Sequence, residues 1–348
     1  MVYLNDQHNF VQSDFNQSPK FNKKRLSVII LILSLIIIGY FLGSKSNTIE
    51  AQNQQIPFWH KVASIFNLVS EPIDPDYIMP VQEPDRFDVL ILGLRGENDP
   101  DAKNGGPLLT DTMMVLSYDK ITQKASLISV PRDLYVKVDK NKKDKINTAY
   151  EYGYYHKNRG LSYTEELVSK ITGVYIDKGV VLDFSSFEKI IDQVGGIDIV
   201  LAKPFNEKQQ WGHEFSLPIG SNHLDGKDAL YYARSRLSSS DFDRSRRQQE
   251  VMFALKDKLT NLNFWSDPLE TISILNSIRS NIKTDLNIWN TKELLDLAKK
   301  VSSSGKVKKY IMTTDNLLYE SRANGSYILL PKDDNFMQIK QLFQDNLK

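Results

Sequence analysis

The segment Phe87–Leu94 (FDVLILGL) is an apolar run with room for no wet face. Such a strand must be covered on both sides, which is the position of a central strand in an α/β protein. The segments that follow fit that frame. Thr110-Asp111-Thr112 leads into a second strand, MMVLSY, and Ala125–Val130 forms a third. The third ends at Pro131-Arg132-Asp133, after which Leu134–Val138 is extended again. A helix is expected over Lys145–Tyr155, and another over Tyr163–Thr172 with Thr164 near its cap. Next come a strand at Tyr175–Phe184, a helix at Ser185–Gln193 stopped by Gly195-Gly196, and a strand at Ile197–Leu201. Lys203–Gly220 reads as a loop holding Trp211, and His223–Gly226 caps a further helix. Beyond Leu262, helices are expected near 267–280 and 291–301, strands near 306–314 and 326–330, and a last helix at 334–345. Alternating strands and helices predict an α/β sandwich with a mixed central β-sheet. No repeat and no second domain is visible, so residues 85–348 read as one unit.

The N-terminal part is of another kind. Residues 1–25 are polar and rich in Asn, Gln and Ser, the composition of a disordered tail. Lys20, Lys23, Lys24 and Arg25 precede Leu26–Leu42, an uncharged run of 17 residues. That length is at the short end for a membrane span. The rival reading, a cleaved signal peptide, fits less well because no A-x-A site follows. An uncleaved single-pass transmembrane anchor over 26–43 is expected. The basic cluster places the N-terminus in the cytoplasm and all that follows outside the cytoplasmic membrane. Residues 44–84 form a linker with Pro72, Pro75, Pro80 and Pro84. Within it, Phe58, Trp59, Val62, Ile65, Phe66 and Val69 have helical spacing, which suits an interfacial helix or a small packing helix.

The most concentrated chemistry lies in Asp228–Gln249 (DALYYARSRLSSSDFDRSRRQQ), which holds Arg234, Arg236, Arg244, Arg246 and Arg247. Arg234 and Arg236 can converge if the helix carrying them ends there. Ser240 or Asp241 is a natural N-cap for a second helix, and Asp243 suits its first turn. Arg244, Arg247 and Gln248 then share a face, with Val251, Leu255 and Leu259 as a buried stripe. Two arginine groups at a helix N-terminus make a site for a multiply charged phosphate. The other reading, a solvated basic loop, stands beside it.

Several chemistries are excluded. The chain has no cysteine, so disulfides and thiolate chemistry are absent. Its net charge of +1 argues against nucleic acid as a partner. The five histidines are scattered and form no H-E-x-x-H, and G-x-S-x-G is missing. Gly93 and Gly96 do not complete a nucleotide loop. Gly220–Lys227 (GSNHLDGK) misses a P-loop by one residue and by Asp228 at the Ser/Thr position. Arginine, aspartate and an anchor remain, which points to phosphate chemistry on a membrane-linked substrate, with charge stabilisation as the main catalytic effect.

With TDTMMVLSYD, ASLISVPRDLYV, KINTAYEYG, VVLDFSSFEKIIDQVGGIDIVL, HLDGKDALYYARSR and DFDRSRRQQ in this order, the chain resembles the LytR–CpsA–Psr family of bacterial cell-wall ligases, which includes membrane proteins of the transcriptional-attenuator type. The match covers the anchor and Phe87–Gln249, and more weakly Lys283–Leu286. The resemblance implies an α/β/α domain with a deep apolar cavity for a polyprenyl chain. It implies transfer of a glycopolymer from a polyprenyl-diphosphate carrier to a peptidoglycan hydroxyl, with magnesium assisting. Arg132 matches the arginine of the family's P-R-D turn. Arg234 and Arg236 match the A-R-x-R pair, and Arg244, Arg247 and Gln248 match the D-F-x-R-x-x-R-Q helix start. All six are expected at the diphosphate, with Arg132 and Asp111 as catalytic residues and Asp111 as the magnesium ligand. Arg246 falls off that face. Asp241 and Asp243 match too, and capping accounts for both.

Two positions depart from the pattern. Arg95 stands where the family has the Asp of L-G-x-D, and Leu109 where it has the Arg of R-S-D-T. Asp99 or Asp101 could complete a magnesium site, or Arg95 could take over charge neutralisation. Two further readings remain open: a polyprenyl-diphosphate pyrophosphatase using the same residues, and a non-enzymatic wall-polymer-binding or regulatory membrane protein.

Overall fold

The computed structural model describes residues 74–97, 99, 102–103, 106–261, 282–286 and 307–348. The expected tail, the anchor, linker residues 44–73 and the helices expected near 267–280 and 291–301 lie outside the described residues. Among the described residues no helix is long and apolar enough to cross a membrane.

The centre is a six-stranded sheet. Its order is β11 (Ile282–Thr284), β6 (Lys178–Asp183), β1 (Arg86–Leu94), β2 (Thr110–Asp119), β3 (Ala125–Ser129) and β12 (Lys308–Ile311). The β1–β6 and β3–β12 pairs are parallel and the others antiparallel, so the sheet is mixed. β1 is buried along nearly its whole length. Alternate residues serve opposite faces, as the pleat requires. Val89 and Ile91 belong to a core closed by α3 (Phe184–Gln193), α4 (Gly226–Arg234) and α5 (Asp241–Asn261). Leu90, Leu92 and Leu94 belong to the other, closed by α1 (Ala149–Lys157), α2 (Gly160–Thr172) and α6 (Met337–Asp345).

Four smaller ribbons complete the structure: β4 (Tyr135–Asp139) with β5 (Lys142–Lys145), β7 (Ile197–Leu201) with β10 (Gly220–Leu224), β8 (Phe205–Glu207) with β9 (Phe215–Leu217), and β13 (Leu318–Ala323) with β14 (Ser326–Pro331). The β8–β9 hairpin replaces the loop expected over 203–220, and β13 was not expected. Helix α1 begins at Ala149, after a 3-10 turn at Ile146–Thr148, because β5 takes up Lys145. Helix α2 begins at Gly160, a turn before the expected start, so Thr164 lies inside it with its hydroxyl on Gly160 O at 2.8 Å. The β6 strand stops at Asp183, whose side chain accepts the Ser186 N–H at 2.7 Å and caps α3.

A carboxyl is buried away from the site. Burial and the charge of Asp285 push Glu165 of α2 up to about 8, and its Oε1 has no hydrogen-bond partner. Asp285 is held by the Gly179 N–H at 2.8 Å. Glu165 therefore keeps its proton in the folded protein at neutral pH and loses it when the chain unfolds. Stability should fall as pH rises from the ordinary glutamate range to about 8, then level off. Glu165→Gln should remove that slope and raise stability at pH 8 relative to the parent. Denaturant titrations at pH 5 and pH 8 measure both effects, and equal slopes for the two proteins would refute the assignment.

Candidate functional site: an arginine cluster at the mouth of an apolar cavity

The C-terminal ends of β1, β3 and β6 and the start of β2 meet at one edge of the sheet, where α/β proteins place ligands. A β-bulge organises this edge. Gly93 pairs with Thr112 and Leu94 with Thr110, leaving Asp111 out of the register. A Cβ at Gly93 would lie 2.9 Å from that of Thr112, so the close approach of the two strands needs glycine there.

Asp111 is the hub of the cluster. Its Oδ1 accepts from Arg132 Nη1 at 2.5 Å and its Oδ2 from Arg95 Nε at 2.9 Å. Its backbone carbonyl accepts from Arg244 Nη2 at 3.3 Å. Burial alone would raise the Asp111 carboxyl, but the charges of Arg132, Arg244 and Arg95 hold it down at about 2. Asp241 stands across the cluster, 2.8 Å from Arg244 Nη2 and 3.6 Å from Arg132 Nε. Burial lowers Arg244 to about 10, which leaves it cationic at neutral pH. The buried Nε atoms of Arg132 and Arg244 have no hydrogen-bond partner.

Each arginine is placed by its own element. Arg132 sits on the turn after β3, pinned by Leu134 N to Pro131 O at 3.1 Å and Asn147 N to Arg132 O at 3.2 Å. Helix α4 ends at Arg234 and Ser235 is extended, so Arg234 and Arg236 turn to the same cavity despite their spacing. The Arg234 guanidinium lies 4.0 Å from the centre of the Phe184 ring, and its Nη2 is 2.8 Å from Asp99 Oδ2. Helix α5 opens with a reciprocal cap. Ser240 Oγ accepts the Asp243 N–H at 3.0 Å, and Asp243 Oδ2 accepts the Ser240 N–H at 3.2 Å.

Arg95, Asp111, Arg132, Arg234, Arg236, Arg244 and Gln248 line one polar cavity. Arg247 is not among them. It faces away, donating to Tyr232 O at 2.9 Å, to Ser235 O, and to Ser239 Oγ at 3.1 Å. It clamps the break between α4 and α5. The shared helical face expected for Arg244, Arg247 and Gln248 divides because the carbonyls left bare at the end of α4 lie on Arg247's side. Arg246 is exposed, as expected, and pairs with Asp243. Val251 and Leu255 are buried.

Phe184, which lies in the VVLDFSSFEK segment, and Gln210 and Trp211, which carry no motif, were not expected at the site. The β8–β9 hairpin brings Gln210 to the arginine segment, its Nε2 donating to Arg234 O at 3.1 Å and its Oε1 accepting the Arg236 N–H at 2.6 Å. Gln249, next to the expected Gln248, ties α5 to the sheet through Ser129 Oγ at 2.8 Å and Tyr310 O at 2.9 Å.

Two further cavities open beside the polar one. An apolar cavity is lined by Ile91, Met114, Leu182, Phe187, Val251 and Met252, and shares Phe184, Arg234 and Gln248 with it. A larger space runs past Asp183, Glu188, Lys227 and the stacked rings of Trp211 and Tyr231, which are 4.7 Å apart.

The carboxylates do not fit a magnesium site. Both Asp111 oxygens accept from guanidinium groups, and Asp99 Oδ2 is held by Arg234. Asp101 lies outside the described residues. Among the described residues no cluster of three His, Cys, Asp or Glu side chains could hold a metal ion.

The two kinds of arginine should separate experimentally. Arg247→Ala leaves buried carbonyls without a donor and should lower stability by roughly 2–4 kcal/mol. Arg236→Ala, at an exposed side chain, should change it by less than about 0.5 kcal/mol. Thermal or denaturant melts of both variants decide this, and a harmless Arg247→Ala would disprove the clamp.

The LytR_cpsA_psr family model matches residues 41–345. The chain is 28% identical over 290 residues to the polyisoprenyl-teichoic acid–peptidoglycan teichoic acid transferase TagU of Bacillus subtilis, covering 79% of this chain and 83% of TagU. It is 30% identical over 272 residues to the regulatory protein MsrR of Staphylococcus aureus, covering 77% of each. The crystal structure of B. subtilis TagV superposes with a TM-score of 0.59 at 26% identity, over 76% of this chain and 98% of that one. The fold is also that of TagT with bound octaprenyl pyrophosphate, at a TM-score of 0.54 and 22% identity, over 80% of this chain and 99% of that one. The chain belongs to the LytR_cpsA_psr family.

Proposed function

We propose that the protein is a transferase that moves a glycopolymer from a polyprenyl-diphosphate carrier onto a peptidoglycan hydroxyl. The observation that carries this reading is the junction of the arginine cavity with the apolar one through Phe184, Arg234 and Gln248. A ligand filling both must be strongly anionic at one end and apolar along the rest, which describes a lipid diphosphate. Relatives named as teichoic acid–peptidoglycan transferases support the reaction class. The wide cavity beside Trp211 and Tyr231 suits the glycan, since flat aromatic faces accept sugar rings.

The chemistry follows from the cluster. A sugar hydroxyl attacks the phosphorus nearest the glycopolymer. The bond from that phosphorus to the bridging oxygen breaks, and polyprenyl phosphate leaves with the hydroxyl proton on the oxygen that had been the bridge. Arg132, Arg234, Arg236 and Arg244 neutralise the equatorial and leaving oxygens. Gln248, between the two cavities, adds a neutral donor. Asp111 acts by holding the guanidinium groups of Arg95 and Arg132 in place. With both oxygens engaged and its carboxyl at about 2, it is too weak a base to take the hydroxyl proton. Arg247 supports the site from behind through the loop that carries Arg236.

The uncharged run Leu26–Leu42 is the membrane anchor in this reading, with residues 1–25 in the cytoplasm, 44–84 as linker and 85–348 as the catalytic domain outside the cytoplasmic membrane. The family model begins within the anchor's last residues.

Arg132→Lys and Arg234→Lys should each lower transfer by about 10²-fold, because a fork with several donors is replaced by a point charge. Radiolabelled lipid-linked glycan with purified peptidoglycan measures this. Product analysis also separates the alternatives. A pyrophosphatase would release the same polyprenyl phosphate at full rate with water alone. A regulatory binder, the reading suggested by the name of MsrR, would release none.

A further inference from the structure

Arg95 holds the place where the family pattern, by the resemblance above, has the Asp of L-G-x-D, directly after β1 and at the neck of the loop that returns to β2. Its N–H donates to Leu109 O at 3.2 Å, so the two positions that depart from the pattern face each other across that neck. The two departures are therefore one local event: an arginine is missing at 109 and another stands opposite at 95. Exchanging a carboxylate for a guanidinium changes the local charge by as much as a bound divalent cation does, and the leucine returns part of that change. The Arg95 side chain turns into the arginine cavity, where its Nε meets Asp111 Oδ2 at 2.9 Å. Oδ2 is the oxygen that Arg132 leaves open, since Arg132 takes Oδ1 at 2.5 Å. A dication at Asp111 would have to displace Arg95 and then sit among Arg132, Arg234, Arg236 and Arg244 with no second carboxylate from the described residues free to join it.

We propose that Arg95 is a built-in replacement for the divalent cation, so that this chain binds the lipid diphosphate and carries out transfer without a metal. The proposal rests on the transferase reading above and adds to it a positioning residue and the absence of a metal requirement. Arg95 works in two directions. It pairs with Asp111 at 2.9 Å, and its side chain lines the cavity that receives the diphosphate. A guanidinium offers directed hydrogen bonds where a metal offers coordination, so the oxygens it meets are fixed by geometry as well as by charge.

The test uses the full chain in detergent, manganese(II) as the metal probe and geranylgeranyl diphosphate as the lipid probe. Electron paramagnetic resonance of added manganese(II), with the lipid present, should show no ion bound to the parent protein beyond that bound by the lipid alone. Fluorescence-detected lipid binding should be unchanged by EDTA. Arg95→Asp should reverse both results. Manganese(II) should bind with a stoichiometry near one per chain, and lipid affinity should become EDTA-sensitive by about tenfold. Stoichiometric manganese(II) on the parent protein, or a tenfold loss of its lipid affinity in EDTA, would overturn the proposal, and neither result depends on the variant folding. If the parent protein bound no geranylgeranyl diphosphate with or without metal, the transferase reading itself would fall, and this inference with it. Lipid binding that ignores EDTA, with no manganese(II) bound, supports both.

Discussion

The site depends on one buried carboxylate surrounded by guanidinium groups. Asp111 touches Arg95 and Arg132 through its side chain and Arg244 through its carbonyl. Bringing three cations together inside a protein is unfavourable, both for the water they lose and for their mutual repulsion. Asp111 and Asp241 offset that cost in part. The remainder shows in the lowered Arg244 and in the two buried Nε atoms without hydrogen-bond partners. A cluster left short of negative charge in this way would be completed by the anion of the proposed lipid diphosphate. The same imbalance explains why the carboxylate sits so low: every neighbour that matters favours its charged form.

The scaffold makes this arrangement rigid. The bulge at Gly93–Leu94 takes Asp111 out of the strand pairing without ending the strand. The Pro131–Asp133 turn is fixed from both sides by backbone hydrogen bonds. The break between α4 and α5 is held by Arg247 above and by Glu207, which accepts from the Ser238 N–H at 3.2 Å and from its hydroxyl at 3.0 Å. Three segments distant in sequence thus present charge to one cavity, and each is anchored by contacts that would remain if the ligand left. Catalysis by electrostatic stabilisation requires that kind of preorganisation, because donors that must first reorient lose their advantage.

The apolar cavity follows from the same layering. Ile91 and Met114 project from the central strands, and Val251 and Met252 from α5, toward a space that α3 and α4 do not fill. An empty apolar cavity is a loss for folding, since its walls lack partner atoms. Its position beside the arginines makes sense of that loss if a lipid chain occupies it.

How much of this was legible in the sequence depends on the range of the interaction involved. The FDVLILGL run, its cover on both faces and the mixed sheet were legible, because a strand that is apolar from Val89 to Leu94 admits one environment. The caps at Ser240 and Asp225 follow from side chains bonding backbone a few residues away. That Arg132, Arg234, Arg236 and Arg244 belong together came from motif order, and the structure supplies the common cavity. Only the tertiary structure decided that Arg247 serves the backbone, that Gln210 and Trp211 join the site, and that Arg95 claims the second oxygen of Asp111. Each of those outcomes turns on which group stands opposite in space, across a hairpin or a bulge, and local spacing along the chain carries no record of it.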